Sequence, residues 1–110
     1  MDRLLGMLGL CARAGKLITG EKACVQAVRG GSAFAAVLDG AASENAVKAL
    51  SQACESHGVP LLRTQPFALG DAIGKSSRMA AVVTEARMAA KIIELSRAGV
   101  GGSSAGNGDS

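Results

Sequence analysis

Phe34-Ala35-Ala36-Val37-Leu38-Asp39-Gly40 is an unbroken apolar run that stops at a turn-forming pair. A strand open to water on one face alternates apolar and polar side chains, whereas a strand covered on both faces reads as a continuous apolar stretch. The run therefore predicts a buried strand with helices on both sides of its sheet.

The flanking sequence supplies those helices. Residues 3 to 14 repeat Leu4, Leu5, Leu8 and Cys11 at helical spacing and stop at Gly15. Ala14-Gly15-Lys16-Leu17-Ile18-Thr19-Gly20-Glu21-Lys22 then reads as a short strand passing through a glycine into a second helix. That helix, Glu21 to Arg29, places Ala23, Cys24, Ala27 and Val28 on one face and ends at Gly30-Gly31. Beyond the central run, Ser43 caps a helix carrying Ala46, Val47, Leu50, Ala53 and Cys54, which closes at His57-Gly58. Val59 to Leu62 forms a strand, and Pro66 suits the first position of a short helix reaching Ile73 and closing at Gly74. Ala80 to Val83 supplies the last strand. Thr84 caps the final helix, Glu85 complements its dipole, and Met88, Ala89, Ile92 and Ile93 face inward. Alternating helices and short apolar strands predict an α/β fold, a three-layer α/β/α sandwich around a four-stranded mixed sheet. The domain is expected over residues 1–97. The Gly- and Ser-rich residues 98–110 have almost nothing to bury and read as a disordered tail.

Composition narrows the chemistry. The 110 residues suffice for one domain with a proper core, and 48% apolar with 19% charged is ordinary for a globular chain. No apolar run approaches the roughly 20 residues that a membrane-spanning helix needs, and the N-terminus lacks the pattern of a secretory signal. A cytoplasmic protein without membrane contact is the expectation. Cys11, Cys24 and Cys54 are odd in number, form no C-x-x-C pair and lie in apolar stretches, so they read as buried structural thiols rather than disulfides or metal ligands. Neither a metal nor a cofactor is expected. A net charge of +3 leans toward a polyanionic partner. With no Trp or Tyr and only two Phe, the chain lacks the aromatic platforms of many single-strand binders, so a nucleic acid would be read by shape, backbone and one or two displaced bases.

Ligands of such folds gather where strand ends pass into helices. The Gly20 turn, the Asp39–Ser43 loop and the Gly74–Met79 loop are candidates for one shared edge. The helix start at Gly20, Glu21 and Lys22 leaves backbone N–H groups able to receive a phosphate, flanked by Lys16 and Lys22. Arg13, Arg29, Lys75 and Arg78 are further basic residues near these loops, whereas Lys91 and Arg97 read as solvated charges of the last helix. Gly70-Asp71-Ala72-Ile73-Gly74-Lys75-Ser76 imitates a phosphate-binding loop, but only three residues separate its glycines where four are required. Gly70 permitting close packing and Gly74 ending the helix explain it better. Asp39, Ser43 and Glu44 have no partner placed by sequence to complete an acid–base site, and turn and capping roles account for Asp39 and Ser43.

An ordered set of segments resembles one family. Leu8-Gly9-Leu10-Cys11-Ala12-Arg13-Ala14-Gly15-Lys16-Leu17, Gly20-Glu21-Lys22-Ala23, Asp39-Gly40-Ala41-Ala42-Ser43-Glu44-Asn45 and Leu69-Gly70-Asp71-Ala72-Ile73-Gly74-Lys75 follow one another as in the ribosomal proteins that bind kink-turn RNA, specifically their small bacterial YlxQ-like members. The resemblance implies a non-enzymatic, monomeric protein that grips a sharply bent RNA, ribosomal or other, with ribosome-associated proteins as further partners. It also implies that helix two contacts sheared G·A pairs and phosphates. Gly20 and Lys22 match that signature, while Ala23 stands where Glu or Gln is expected and Gln26 where Lys is expected. Ala23 cannot hydrogen-bond a guanine edge, and Gln26 carries no charge for a phosphate. The second implied contact is the loop Lys75, Ser76, Ser77, Arg78 and Met79, which packs beneath a flipped-out nucleotide. Two other roles remain open: a protein-interaction module that kept the fold, and a binding domain detached from an RNA-modifying protein.

Overall fold

The computed structural model describes the backbone of residues 2–101 and the side-chain burial of residues 2–97. Five helices and four strands follow in the order α1 (Arg3–Arg13), β1 (Leu17–Thr19), α2 (Glu21–Arg29), β2 (Ala35–Leu38), α3 (Glu44–His57), β3 (Leu61–Arg63), α4 (Ala68–Ile73), β4 (Ala80–Val83) and α5 (Ala86–Gly101). The strands lie in the order β1-β4-β2-β3, with β4 antiparallel to both neighbours and β2 parallel to β3. The sheet is mixed, as expected.

The two central strands are buried throughout, and their side chains divide cleanly between two cores. Ala36, Leu38, Ala80 and Val82 face Cys24, Val28, Leu50 and Cys54 of α2 and α3. Ala35, Val37, Ala81 and Val83 face Leu8, Cys11, Leu69, Ala89 and Ile92 of α1, α4 and α5. The period-2 alternation of a strand thus feeds both faces, which is why the apolar run has no polar break. The three cysteines are free and buried.

Several boundaries move, each because a backbone N–H is committed elsewhere. Val59 donates to Cys54 O at 2.9 Å, closing α3 behind the left-handed Gly58, so β3 begins at Leu61 rather than Val59. Pro66 lies outside α4, because Phe67 takes a left-handed conformation, φ 65°, and the helix starts at Ala68. Thr84 donates its N–H to Lys16 O at 3.0 Å, extending the β1–β4 ladder, and Glu85 caps α5 instead, accepting from Arg87 N–H at 3.3 Å and Met88 N–H at 2.8 Å. Ala23 is exposed: α2 packs through Cys24, Ala27 and Val28, and Ala23 falls off that face. Helix α5 runs through to Gly101, past the expected start of the tail at residue 98; residues 102–110 lie outside the described part. Gly74 ends α4 as expected, but the close approach at Gly70 is to the following loop, since a Cβ there would meet Lys75 O at 2.8 Å.

Candidate nucleic-acid interface

Because β1, β2 and β3 run one way and β4 the other, a single edge of the sheet collects the exits of three strands and the entry of the fourth. Thr19 lies opposite Ala81, and Leu38 lies between Ala80 and Arg63. Helices α2 and α3 both start from this edge, with their N-terminal partial positive charge directed at it. The Gly20 turn, the Asp39–Ser43 loop and the loop before β4 meet there. They border one cleft of about 390 Å³, to which Gly20, Glu21, Ala41, Ser43, Arg78 and Met79 contribute.

The loop between β2 and α3 is organised by Asp39, the one polar side chain among the described residues that is fully buried. Its Oδ1 accepts from Ala41 N–H at 2.8 Å and Phe67 N–H at 2.7 Å, and its Oδ2 accepts from Leu69 N–H at 3.0 Å and the Thr64 hydroxyl at 3.3 Å. Burial pushes this carboxyl up, but the N–H groups of Ala41, Leu69 and Phe67 and the Thr64 hydroxyl outweigh it and hold Asp39 below the usual carboxylate range. Beside it, a Cβ on Gly40 would stand 2.7 Å from Thr64 O and 2.9 Å from Pro66 N, so only glycine lets the β3–α4 segment lie on this turn. The Arg63 guanidinium reaches Gly40 O at 3.5 Å. Asp39 and Gly40 therefore tie two loops of the edge together.

Helix α2 begins differently from α1, α3 and α5, which are capped by Asp2, Ser43 and Glu85. Its first residue before the helix is Gly20, with φ 100°, and no side chain caps it. The N–H groups of Glu21, Lys22 and Ala23 are left without an intrahelical partner. The Arg78 guanidinium lies across the turn, 3.4 Å from where a Gly20 Cβ would be. Lys22, Ala23 and Gln26 are exposed on the first turns of α2, with Lys22 and Gln26 one turn apart. Lys75, Ser76, Ser77 and Arg78 are exposed on the opposing loop and Met79 is half-buried. The ion pair found among the described residues, Lys91 with Glu94 at 3.7 Å, lies away on α5, so Lys22, Lys75 and Arg78 keep their charge for an anion. Glu21, in the first turn of α2, opposes phosphate at the cleft wall, and Glu44 holds the corresponding place at the start of α3.

Ten of the eleven residues singled out by sequence thus lie on the two walls of this edge. Lys16 does not: it precedes β1, bonded through its carbonyl to Thr84 at the far end of the β1–β4 ladder. At about 3.3 Å per strand residue it stands roughly 13 Å from Gly20. Arg13 and Arg29 likewise end α1 and α2 at the opposite edge. The reading missed Arg63 and Phe67, whose neighbours at Gly40 and Asp39 are more than twenty residues away in sequence. Among the described residues, no helix is long and apolar enough to cross a membrane.

Residues 2–94 match the ribosomal protein L7Ae/L30e/S12e/Gadd45 family. The chain is 34% identical over 90 residues to the RNA-binding protein YlxQ of Bacillus subtilis (strain 168), spanning 81% of this chain and 90% of that protein. A protein of unknown function from Bacillus halodurans superposes with a TM-score of 0.84 at 34% identity, over 88% of this chain and 99% of that one. The Giardia lamblia 15.5kD RNA binding protein has the same fold, with a TM-score of 0.70 at 22% identity over 88% and 87% of the two chains. The family match spans nearly all of the described residues, and the chain belongs to the ribosomal protein L7Ae/L30e/S12e/Gadd45 family.

Proposed function

We propose that this chain is a non-enzymatic, cytoplasmic and monomeric RNA-binding protein that receives a sharply bent, kink-turn-like RNA at the edge formed by the Gly20 turn and the loop Lys75–Met79. The observation that carries this reading is the convergence of an uncapped helix start, Lys22 and the Arg78 guanidinium on one cleft. The free N–H groups and cations suit phosphates, and two facing walls suit a bent rather than a straight backbone. The relative from Bacillus subtilis, named an RNA-binding protein, supports the same role. Binding without turnover fits the edge: Asp39 commits both carboxylate oxygens to the loops, and His57 ends α3 at the opposite side. Ribosomal RNA and ribosome-associated proteins are the proposed setting.

With Ala23 and Gln26 in α2, fewer contacts read base edges and more of the affinity comes from phosphates. The test is a titration of the purified chain, at two salt concentrations, against a kink-turn RNA and a straight duplex of equal length. A preference for the kink-turn that persists at the higher salt is expected, together with a steep overall salt dependence. Equal binding to both RNAs that vanishes with salt would reduce the edge to a backbone attractor.

A further inference from the structure

Helices α1 and α4 pack together on the face of the sheet turned away from α2 and α3. They approach so closely that a Cβ on Gly9 would stand 2.9 Å from Ala72 O. Beside this contact a groove of about 440 Å³ opens to the surface, bordered by Leu5, Gly6, Gly9 and Arg13 of α1 and by Ala68 and Asp71 of α4. Gly6 leaves its part of the groove empty, with nothing within 4 Å of where its Cβ would be. Three large apolar residues of the described chain are exposed, and two of them flank this groove. Leu10, 49% exposed, stands one turn after Gly6, and Phe67, 70% exposed, immediately precedes Ala68. Neither belongs to a core cluster, so burial within the fold does not explain them. Apolar side chains gathered around a concave surface mark a place where another molecule docks.

The two walls carry opposite charges. Arg13 folds back from the end of α1, one guanidinium nitrogen lying 3.6 Å from the Gly9 Cβ position, and the exposed Asp71 lies in the first turn of α4. The ion pair among the described residues joins Lys91 to Glu94, so Arg13 and Asp71 neutralise neither each other nor a neighbour there. An RNA backbone would meet a carboxylate on one wall and carbon along the floor, which disfavours it. Both walls are helices, so there is no open strand edge for an extended peptide to join, whereas a helix satisfies its own backbone and needs only side-chain contacts. We propose that the α1–α4 groove docks one amphipathic helix of a partner protein. Its aliphatic face lies between Leu10 and Phe67, with a carboxylate on the flank beside Arg13 and a basic side chain on the flank beside Asp71. Apolar burial against Gly6 and Ala68 supplies the affinity, and the two flanking charges fix how the helix lies. The groove shares no residue with the cleft at Gly20, so the partner and the RNA are held at the same time.

The probes are two stapled helical peptides of about 15 residues with the same Leu- and Ala-lined face, one flanked by Glu and Lys and the other by Lys on both sides. Each is titrated into the full-length, 15N-labelled chain, and amide shifts are followed by NMR. Saturable shifts confined to Gly6, Gly9, Leu10, Asp71 and their neighbours are expected, with the Glu/Lys peptide bound about fivefold more tightly than the all-Lys one. Arg13→Glu makes both walls acidic and is expected to reverse that order. Gly6→Leu fills the groove from a helical position with open space around it, so it should melt no lower than the unmodified chain yet bind neither peptide. Kink-turn RNA should bind Gly6→Leu as it binds the unmodified chain. No shift with either peptide, equal affinity for both, or undiminished binding by Gly6→Leu overturns the docking groove and leaves the RNA-binding reading standing. Loss of RNA binding by Gly6→Leu would make the groove part of the RNA surface and overturn it as a protein site.

Discussion

Asp39 shows how much of the edge depends on single atoms. Its two oxygens accept four hydrogen bonds while the side chain is wholly out of water. Replacing it with asparagine keeps the shape but turns one acceptor into an NH2 that faces donors, leaving buried N–H or O–H groups unpaired. Each such group costs about 1–3 kcal/mol. Asp39→Asn is therefore expected to lower the melting temperature by several degrees or more, and circular dichroism melting checks it; an unchanged midpoint would mean the loops are held by something else. Gly20 makes a second case. With φ 100° it stands where a Cβ is strained and would also press on Arg78 at 3.4 Å. Gly20→Ala should cost about 1–3 kcal/mol by urea unfolding, whereas alanine at the exposed, helical Lys22 should cost nothing measurable. Gly20 was readable, because a glycine between an apolar strand and a helix start announces a turn. The role of Asp39 was not: its donors at Thr64, Phe67 and Leu69 lie 25 to 30 residues away, and a local pattern contains no such pairing.

Among the elements, those set by apolar periodicity were legible nearly to the residue, as with α2 over Glu21–Arg29 and β4 over Ala80–Val83. The shifted boundaries at Val59, Pro66 and Thr84 share one cause. In each the N–H was already claimed, that of Val59 by the closing turn of α3 and those of Phe67 and Thr84 by tertiary acceptors, and propensity gave way. Lys16 illustrates a different limit. It is close to Gly20 in sequence, but the intervening strand carries the two to opposite edges of the sheet. This geometry separates the lysines. Lys22→Ala should weaken RNA binding and reduce the slope of log K against log salt by about 1, as one phosphate contact is lost. Lys16→Ala and Lys91→Ala should leave that slope unchanged. A nitrocellulose filter titration over a salt series separates these outcomes, and equal effects from all three lysines would remove Gly20–Lys22 from the binding surface.

At the scale of the whole molecule, buried ionisable groups bound the pH range in which the fold is most stable. On the acid side stands Asp39, held below its ordinary 3.8. The unfolded chain takes up that proton at a higher pH than the folded chain does, so stability is fully present above about 3.8 and is lost as pH falls through the folded value. On the alkaline side stand the thiols. Burial pushes Cys24 up to about 12, with the neighbouring Cys54 adding to the rise, and it raises Cys11 and Cys54 above their ordinary 9.0 as well. Here the unfolded chain loses protons first, so stability is full below about 9 and declines as pH rises toward 12. Cys24 sits in the core between α2 and the sheet, its thiol donating to Ile18 O at 3.4 Å, so its proton is kept by packing on both sides. Urea midpoints measured under reducing conditions at pH 8 and pH 10.5 isolate it. The unmodified chain should lose up to about 2 kcal/mol more between the two pH values than Cys24→Ala does, at 1.36 kcal/mol per pH unit beyond the thiol's ordinary range. Lysine deprotonation is common to both proteins and cancels in the difference. Parallel losses would show that Cys24 ionises as freely in the fold as out of it, which a sealed α2–α3 core does not allow.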